Sequence, residues 1–188
     1  DMCAAPGGKT LQMAAAGAAV TALDVSERRM TRVEENLSRT GLTAERVVAD
    51  AREWQPEDAF DAILLDAPCS ATGTLRRHPD LPFAKDGSEF PALFELQRNL
   101  IDKALDLLKP GGRLIYCTCS LLIDEGEEQL RDALARHSGV TVTAAALRRP
   151  GIDAGWIDGE GGLRLRPDFW AEQGGMDGFY IACLEKRG

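Results

Sequence analysis

Strand and helix signals alternate along this chain, and that alternation leaves few folds open to it. Short apolar runs take turns with amphipathic stretches at helical spacing, the pattern of an α/β chain built from βαβ units around a mostly parallel sheet. Gly8 to Ala16 reads as a short helix after a Gly-rich turn, and Val20 to Leu23 as a strand ending at Asp24. Ser26 is a good N-cap; Met30, Val33 and Leu37 follow at helical spacing, and Gly41 stops the helix. Arg46 to Ala49 is a strand ending at Asp50. Phe60 to Leu65 is apolar apart from Asp61 and ends at Asp66; such runs suit a strand covered on both faces. Residues 67 to about 91 read as a long loop, a length usually tied to function or disorder. Leu93, Leu96, Leu100, Ala104 and Leu108 mark one face of a helix that Lys109-Pro110-Gly111-Gly112 ends. Leu114 to Thr118 is the next strand. Glu127 to Arg136 is a helix with acidic residues in its first turn, where the helix dipole favours them. Val140 to Thr143 and Gly178 to Leu184 read as a closing pair of strands, with an irregular Gly- and Pro-rich segment between them.

At 188 residues the chain suits one domain with a sizeable core. No apolar run reaches the roughly 18 residues that would span a bilayer, so no membrane partner is expected. The odd count of five cysteines, with no disulfide-framework spacing, fits a reduced, cytoplasmic protein. The two histidines, His78 and His137, lie far from any C-x-x-C pair, and no such pair exists, so no metal is expected. The expected state is a monomer. A net charge of −8 argues against a broad, non-specific nucleic-acid surface. It leaves room for local basic patches at Arg76-Arg77-His78 and Arg148-Arg149. Asp1-Met2-Cys3 reads as the end of a strand, and the chain as a fragment of a longer polypeptide.

Strand, Gly-rich turn, helix is the arrangement that brings backbone N–H groups to a ligand. Here the turn is Ala5-Pro6-Gly7-Gly8-Lys9-Thr10. Asp24 ends the following strand, where a carboxylate can accept from ribose hydroxyls; Asp50 ends the next, where it can meet an adenine amine. The glycine spacing is neither a dinucleotide fingerprint nor a P-loop, which leaves S-adenosylmethionine as the best candidate. The plain alternative is a tight turn with no ligand, and the two aspartates at successive strand ends weigh against it.

Cys69 and Cys119 each fall where an apolar strand runs out into a loop, at the sheet edge where ligands bind in open α/β folds. Cys117 and Cys183 lie within strands and read as small buried hydrophobes. Cys3 opens the cofactor turn. Two thiols and a carboxylate, Asp66, suit covalent chemistry on an electron-poor pyrimidine. A thiolate adding to carbon 6 of cytosine makes carbon 5 nucleophilic toward a methyl donor. Asp66 could then bond N4, or N3 if protonated.

Three stretches carry a family resemblance: Asp1 through Thr10, Asp66-Ala67-Pro68-Cys69-Ser70-Ala71-Thr72-Gly73, and Thr118-Cys119-Ser120. Arg76-Arg77-His78-Pro79-Asp80 and Met176-Asp177-Gly178-Phe179-Tyr180 extend it over almost the whole chain. The chain resembles the catalytic domain of the RNA cytosine-5 methyltransferases of the Sun and NSUN family, most closely the bacterial enzymes of 16S ribosomal RNA. That resemblance implies a Rossmann-like S-adenosylmethionine-dependent methyltransferase fold over residues 1–188, with a mostly parallel seven-stranded sheet, an antiparallel closing strand and helices on both faces. It implies Cys119 as nucleophile and Cys69 as the residue assisting product release. It places Cys3, Ala4, Ala5, Pro6, Gly7, Gly8, Lys9, Asp24, Asp50 and Asp66 in the cofactor pocket, with Asp66 also facing the base and Arg29 near the ribose. Arg76, Arg77 and His78 are either a solvated loop or phosphate contacts. Relatives carry an extra RNA-binding region before the first motif, so this acidic piece alone is expected to bind RNA weakly. Transfer RNA is the second candidate substrate. A non-catalytic RNA-binding or ribosome-assembly factor is the competing class, and retention of both Cys69 and Cys119 speaks against it.

Overall fold

In the computed structural model, which describes residues 1–84 and 86–188, seven strands build a mixed sheet flanked by helices. The strands are β1 (Thr21–Asp24), β2 (Glu45–Val48), β3 (Phe60–Asp66), β4 (Leu108–Thr118), β5 (Val140–Val142), β6 (Leu163–Leu165) and β7 (Phe179–Lys186). The helices are α1 (Gly8–Ala15), α2 (Glu27–Thr40), the single turn α3 (Leu81–Ala84), α4 (Phe90–Asp106) and α5 (Glu127–Arg136). β1 pairs in parallel with β2, and β3 with β4; β7 runs antiparallel to β4 and takes both β5 and β6 along its other edge. Met2 joins the two halves through parallel bridges to Leu23 and Leu65. Its N–H donates to the Leu64 carbonyl at 2.7 Å, while Leu23 N–H donates to the Asp1 carbonyl at 2.9 Å. The short segment before the Gly-rich turn therefore holds the central place between β1 and β3.

Side-chain alternation along the strands assigns each face its cover. Leu65, Leu114, Tyr116, Ala182 and Leu184 pack with Leu100, Ile101 and Ala104 of α4 and with Leu130 and Ala133 of α5. On the other face Ala22 meets Met30, Val33 and Leu37 of α2, with Leu11 of α1 beside them. Burial of this kind is the main source of stability: truncating a residue such as Ile101, 1% exposed, to Ala removes about 2–5 kcal/mol. The caps of α2 match their sequence signals. The Ser26 hydroxyl accepts from Arg29 N–H at 3.3 Å, and Gly41 takes a left-handed φ of 67° to end the helix.

Four expectations need correction. β3 is covered on one face only. Ile63 and Leu65 are buried, but Ala62 and Leu64 line a groove of about 650 Å³ with Met13, Ile115 and Ile181. β4 starts at Leu108 and not at Leu114, because Leu108 already pairs with Phe60 before the ladder shifts register across Lys109–Gly112. The segment between β5 and β7 is not wholly irregular: Leu163-Arg164-Leu165 forms β6 on the edge of β7. A three-residue strand is too short to show a period. Its Leu163 joins Leu147 and Cys183 in a separate apolar cluster, against which Trp156 and Ile181 pack. The span 67–91 holds a 3₁₀ turn at Thr72–Thr74 and α3, and α4 begins within it at Phe90; residue 85 lies outside the described residues. The tryptophans Trp54 and Trp156 pack against Phe60 and Phe169, at ring separations of 5.9 and 4.7 Å.

Candidate active site

Parallel strands deliver their carboxyl ends to one edge of the sheet, and there β1, β3 and β4 release Asp24, Asp66 and Thr118 into loops. The Gly-rich turn meets them at the same edge. Gly7 adopts φ 100°, a left-handed conformation that side chains rarely take, and a Cβ there would press on Val33. The adjoining cleft, about 170 Å³, is lined by Cys3, Asp24, Arg29, Asp50, Arg52 and Pro68, among others. Leu23, Leu96 and Leu100 supply apolar wall. Apolar walls carrying a few fixed polar groups are what a small-molecule site requires.

Asp24 is 3% exposed. Its Oδ2 accepts from Ala5 N–H at 3.1 Å and its Oδ1 from Ser26 N–H at 3.0 Å, which leaves each oxygen a second lone pair. Arg29 reaches the Ala5 carbonyl at 2.6 Å and lies 3.6 Å from Asp24. Asp50 is gripped by Arg52, whose side-chain hydrogen bonds hold its carboxyl down to about 2. An amine arriving at Asp50 must share those oxygens with Arg52. Lys9 spans from the turn to Asp66, Nζ to Oδ2, at 2.6 Å. Burial works against the Lys9 ammonium, but the bond and charge of Asp66 outweigh it and raise its pKa.

All five cysteines are free thiols. Cys69 Sγ lies 3.4 Å from Cys119 Sγ. The two sulfurs divide their labour electrostatically. The hydrogen bond from Cys69 lowers the Cys119 pKa, outweighing burial. The same bond to Cys119, then burial, then the charges of Cys119 and Glu125 push Cys69 far up. The two opposite shifts make Cys69 the donor in the pair and Cys119 the sulfur that ionises first. Burial, followed by the carboxylates of Asp24 and Asp66, pushes Cys3 up to about 12. Cys117 is buried, raised by that burial, and donates to Asp66 Oδ1 at 3.6 Å; Cys183 is fully buried.

Three sequence stretches far apart in the chain meet backbone to backbone behind the sulfurs. Gly73 N–H donates to the Cys119 carbonyl at 2.9 Å, and Gly178 N–H to the Gly73 carbonyl at 2.8 Å. A Cβ on Gly73 would collide with the Gly178 carbonyl and fall 2.9 Å from that of Cys119. Gly73→Ala is accordingly expected to cost about 1–3 kcal/mol of stability by overpacking. It should also displace Cys119, so a melting curve and a methyl-transfer assay on the same variant should both fall. Arg77 is not a free cation: it pairs with Asp177, with Nη2 at 2.6 Å. Arg76 Nη1 approaches the Gly174 carbonyl at 3.5 Å.

Sequence reading missed Glu125, Gln97 and Arg164. Glu125 is fully buried; its carboxylate accepts from Ser70 N–H at 2.8 Å, Ser70 Oγ at 2.5 Å and Gln97 Nε2 at 2.9 Å. Arg164 of β6 donates to the Ser120 carbonyl at 2.5 Å, pairs with Glu127, and lies 4.9 Å over the Tyr180 ring. The only signal in sequence was the acidic run Asp124 to Glu128, which reads as a helix first turn.

Parallel strands followed by an antiparallel β7, a Gly-rich turn at the central position and acidic strand ends define a Rossmann-like methyltransferase domain. Solved structures agree. The crystal structure of PH0851 superposes with a TM-score of 0.87 at 34% identity, covering 98% of this chain and 41% of that one. NSun6 from Pyrococcus horikoshii, solved with SFG, gives 0.84 at 31% identity, covering 100% and 47%. The family model described as 16S rRNA methyltransferase RsmB/F matches residues 1–185, and the chain belongs to that family. Ribosomal RNA small subunit methyltransferase B of Pseudomonas putida is 43% identical over 99% of this chain, and that of Vibrio cholerae 41% over 100%. The chain spans about two-fifths of the length of these relatives, 42% and 41%. Among the described residues no helix is long and apolar enough to cross a membrane, and no group of three or more His, Cys, Asp or Glu side chains could hold a metal ion.

Proposed function

We propose that this chain is the catalytic part of an S-adenosylmethionine-dependent RNA cytosine-5 methyltransferase of the cytoplasm, acting on 16S ribosomal RNA. The observation that carries this reading is the thiol pair, Cys69 and Cys119 at 3.4 Å, together with a cleft lined by Asp24, Asp50 and Pro68. The names of the relatives supply the RNA class.

The cleft residues fit the cofactor. Asp24 retains acceptor capacity for ribose hydroxyls, and Asp50 takes an exocyclic amine by sharing its oxygens with Arg52. In the adjoining turn a Cβ built on Gly8 meets nothing within 4 Å, so that backbone is open to a ligand. Bound there, S-adenosylmethionine would supply the methyl group for carbon 5, its sulfonium sulfur keeping the electron pair of the broken bond and leaving as a neutral thioether. The protein does the rest. Cys119 thiolate forms a bond to carbon 6, and the carbon 5–carbon 6 electron pair becomes nucleophilic at carbon 5. Asp66, ion-paired with Lys9, accepts from N4 and holds the ring. After methyl transfer a base takes the carbon-5 proton. The electron pair left behind restores the ring double bond as the carbon–sulfur bond breaks and Cys119 leaves as thiolate. A cytosine inside a helix cannot reach Cys119, so the substrate base is unpaired or flipped.

The test is incubation of the intact protein with methyl-labelled S-adenosylmethionine and either 16S ribosomal RNA or transfer RNA, followed by nucleoside analysis. Label at carbon 5 of cytosine in 16S RNA is expected. Label in transfer RNA alone overturns the substrate class, and no label overturns the enzyme.

A further inference from the structure

The two sulfurs sit on separate loops, and loops are ordinarily mobile. Holding them 3.4 Å apart needs a cross-tie, and the structure contains one. Ser70 follows Cys69 and Ser120 follows Cys119 in sequence; their hydroxyls are 3.1 Å apart. Thr72 Oγ1 closes a triangle with them, at 3.2 Å from Ser70 Oγ and 3.1 Å from Ser120 Oγ. Glu125 governs this triangle from a third segment, the turn between β4 and α5. Among the described residues, the donors to its carboxylate are the Ser70 amide, the Ser70 hydroxyl and the Gln97 carboxamide, all neutral. Its backbone carbonyl accepts from Tyr116 hydroxyl at 2.8 Å and Thr118 hydroxyl at 3.0 Å, on the strand that leads into Cys119. One residue thus grips the Cys69 loop with its side chain and the Cys119 strand with its main chain.

We propose that Glu125 is a positioning residue for the thiol pair, its carboxylate setting the approach of Cys69 to Cys119 through Ser70, Thr72 and Ser120. The role needs an acceptor at both carboxylate oxygens, Oε1 for the Ser70 amide and Gln97 and Oε2 for the Ser70 hydroxyl. A buried carboxylate is costly to keep unless it is well bonded, and a purely structural tie could be made by an uncharged side chain. The negative charge also opposes ionisation of Cys69, which keeps its proton available to Cys119.

Glu125→Gln tests this, because the amide retains an acceptor for Ser70 N–H and Gln97 while Ser70 hydroxyl turns to accept. In the intact protein we expect kcat to fall about 100-fold, the cost of a small misplacement of reacting groups, with KM for RNA and for the methyl donor unchanged. The pH profile of Cys119 alkylation by iodoacetamide should move upward as the bond from Cys69 weakens. Ser70→Ala removes the linking hydroxyl and keeps the carboxylate; it should move the same profile in the same direction, with the melting temperature lowered because Glu125 Oε2 loses its donor. If Glu125→Gln does not fold, Ser70→Ala alone decides. Wild-type kcat with an unmoved alkylation profile in whichever variant folds overturns the proposal. The inference rests on Cys119 as the nucleophile, yet alkylation is read without RNA or methyl donor. A protein that fails to methylate cytosine but shows the shift would overturn the function and leave the positioning intact.

Discussion

Cys119→Ser is expected to reduce methyl transfer to cytosine by on the order of 1,000-fold or more, the scale seen when a covalent nucleophile is removed. Serine keeps the volume and can still accept from Cys69, so the fold and the cleft survive. It loses the anion. An alcohol is not ionised at neutral pH by one thiol donor, whereas the Cys119 pKa is already lowered by that donor. Single-turnover transfer measures the loss, and calorimetric binding of S-adenosylmethionine, expected to be unchanged, shows the cofactor site intact. The same shift sets a pH dependence. Lowering the Cys119 pKa populates its thiolate below the ordinary thiol range, so its alkylation begins there. Cys3, pushed up to about 12, stays unreactive over that interval. The transfer rate should rise with pH through the Cys119 titration. Unchanged transfer in the serine variant would remove Cys119 from its role.

The parts legible in sequence share one cause. A parallel sheet sends its strand ends to one edge, so the points where apolar runs stop are enough to gather Asp24, Asp66 and Cys119. Helix α2 was legible because Ser26 and Gly41 punctuate it and Met30, Val33 and Leu37 mark its buried side. What escaped depends on partners distant in sequence. β6 is defined only by its bonds to β7. The open face of β3 follows from helices that cover other strands, and an apolar run looks the same whether one face or two are buried. Glu125 is the sharpest case. Nothing local distinguishes it from Asp124 or Glu127, and it is buried only because Ser70 and Gln97, 55 and 28 residues away, fold back to bond it. Arg77 is a further case: nothing local in its basic run announces Asp177, 100 residues on, which pairs with it.

Cys69→Ala is expected to trap the protein on its RNA as a covalent adduct, seen as a band that survives denaturation. The argument turns on what happens to Cys69 once Cys119 has reacted. While Cys119 is a thiolate, the bond to it is the largest cause holding the Cys69 proton in place, with the Cys119 charge adding to it. When Cys119 becomes a thioether to carbon 6, that charge disappears and the bond weakens. Burial and Glu125 remain, but the Cys69 pKa falls, and its sulfur is freed to take part in proton removal just when a proton must leave carbon 5. Alanine cannot do this, so addition proceeds and release stalls. Alanine also deprives Cys119 of its donor, which slows addition at neutral pH. Adduct in the alanine variant should therefore accumulate faster as pH is raised. Cys69→Ser, which still donates, should form adduct at lower pH than Cys69→Ala. Gel analysis of both variants across pH reads each step separately. Ready turnover by Cys69→Ala with no adduct at any pH would show that release runs without Cys69.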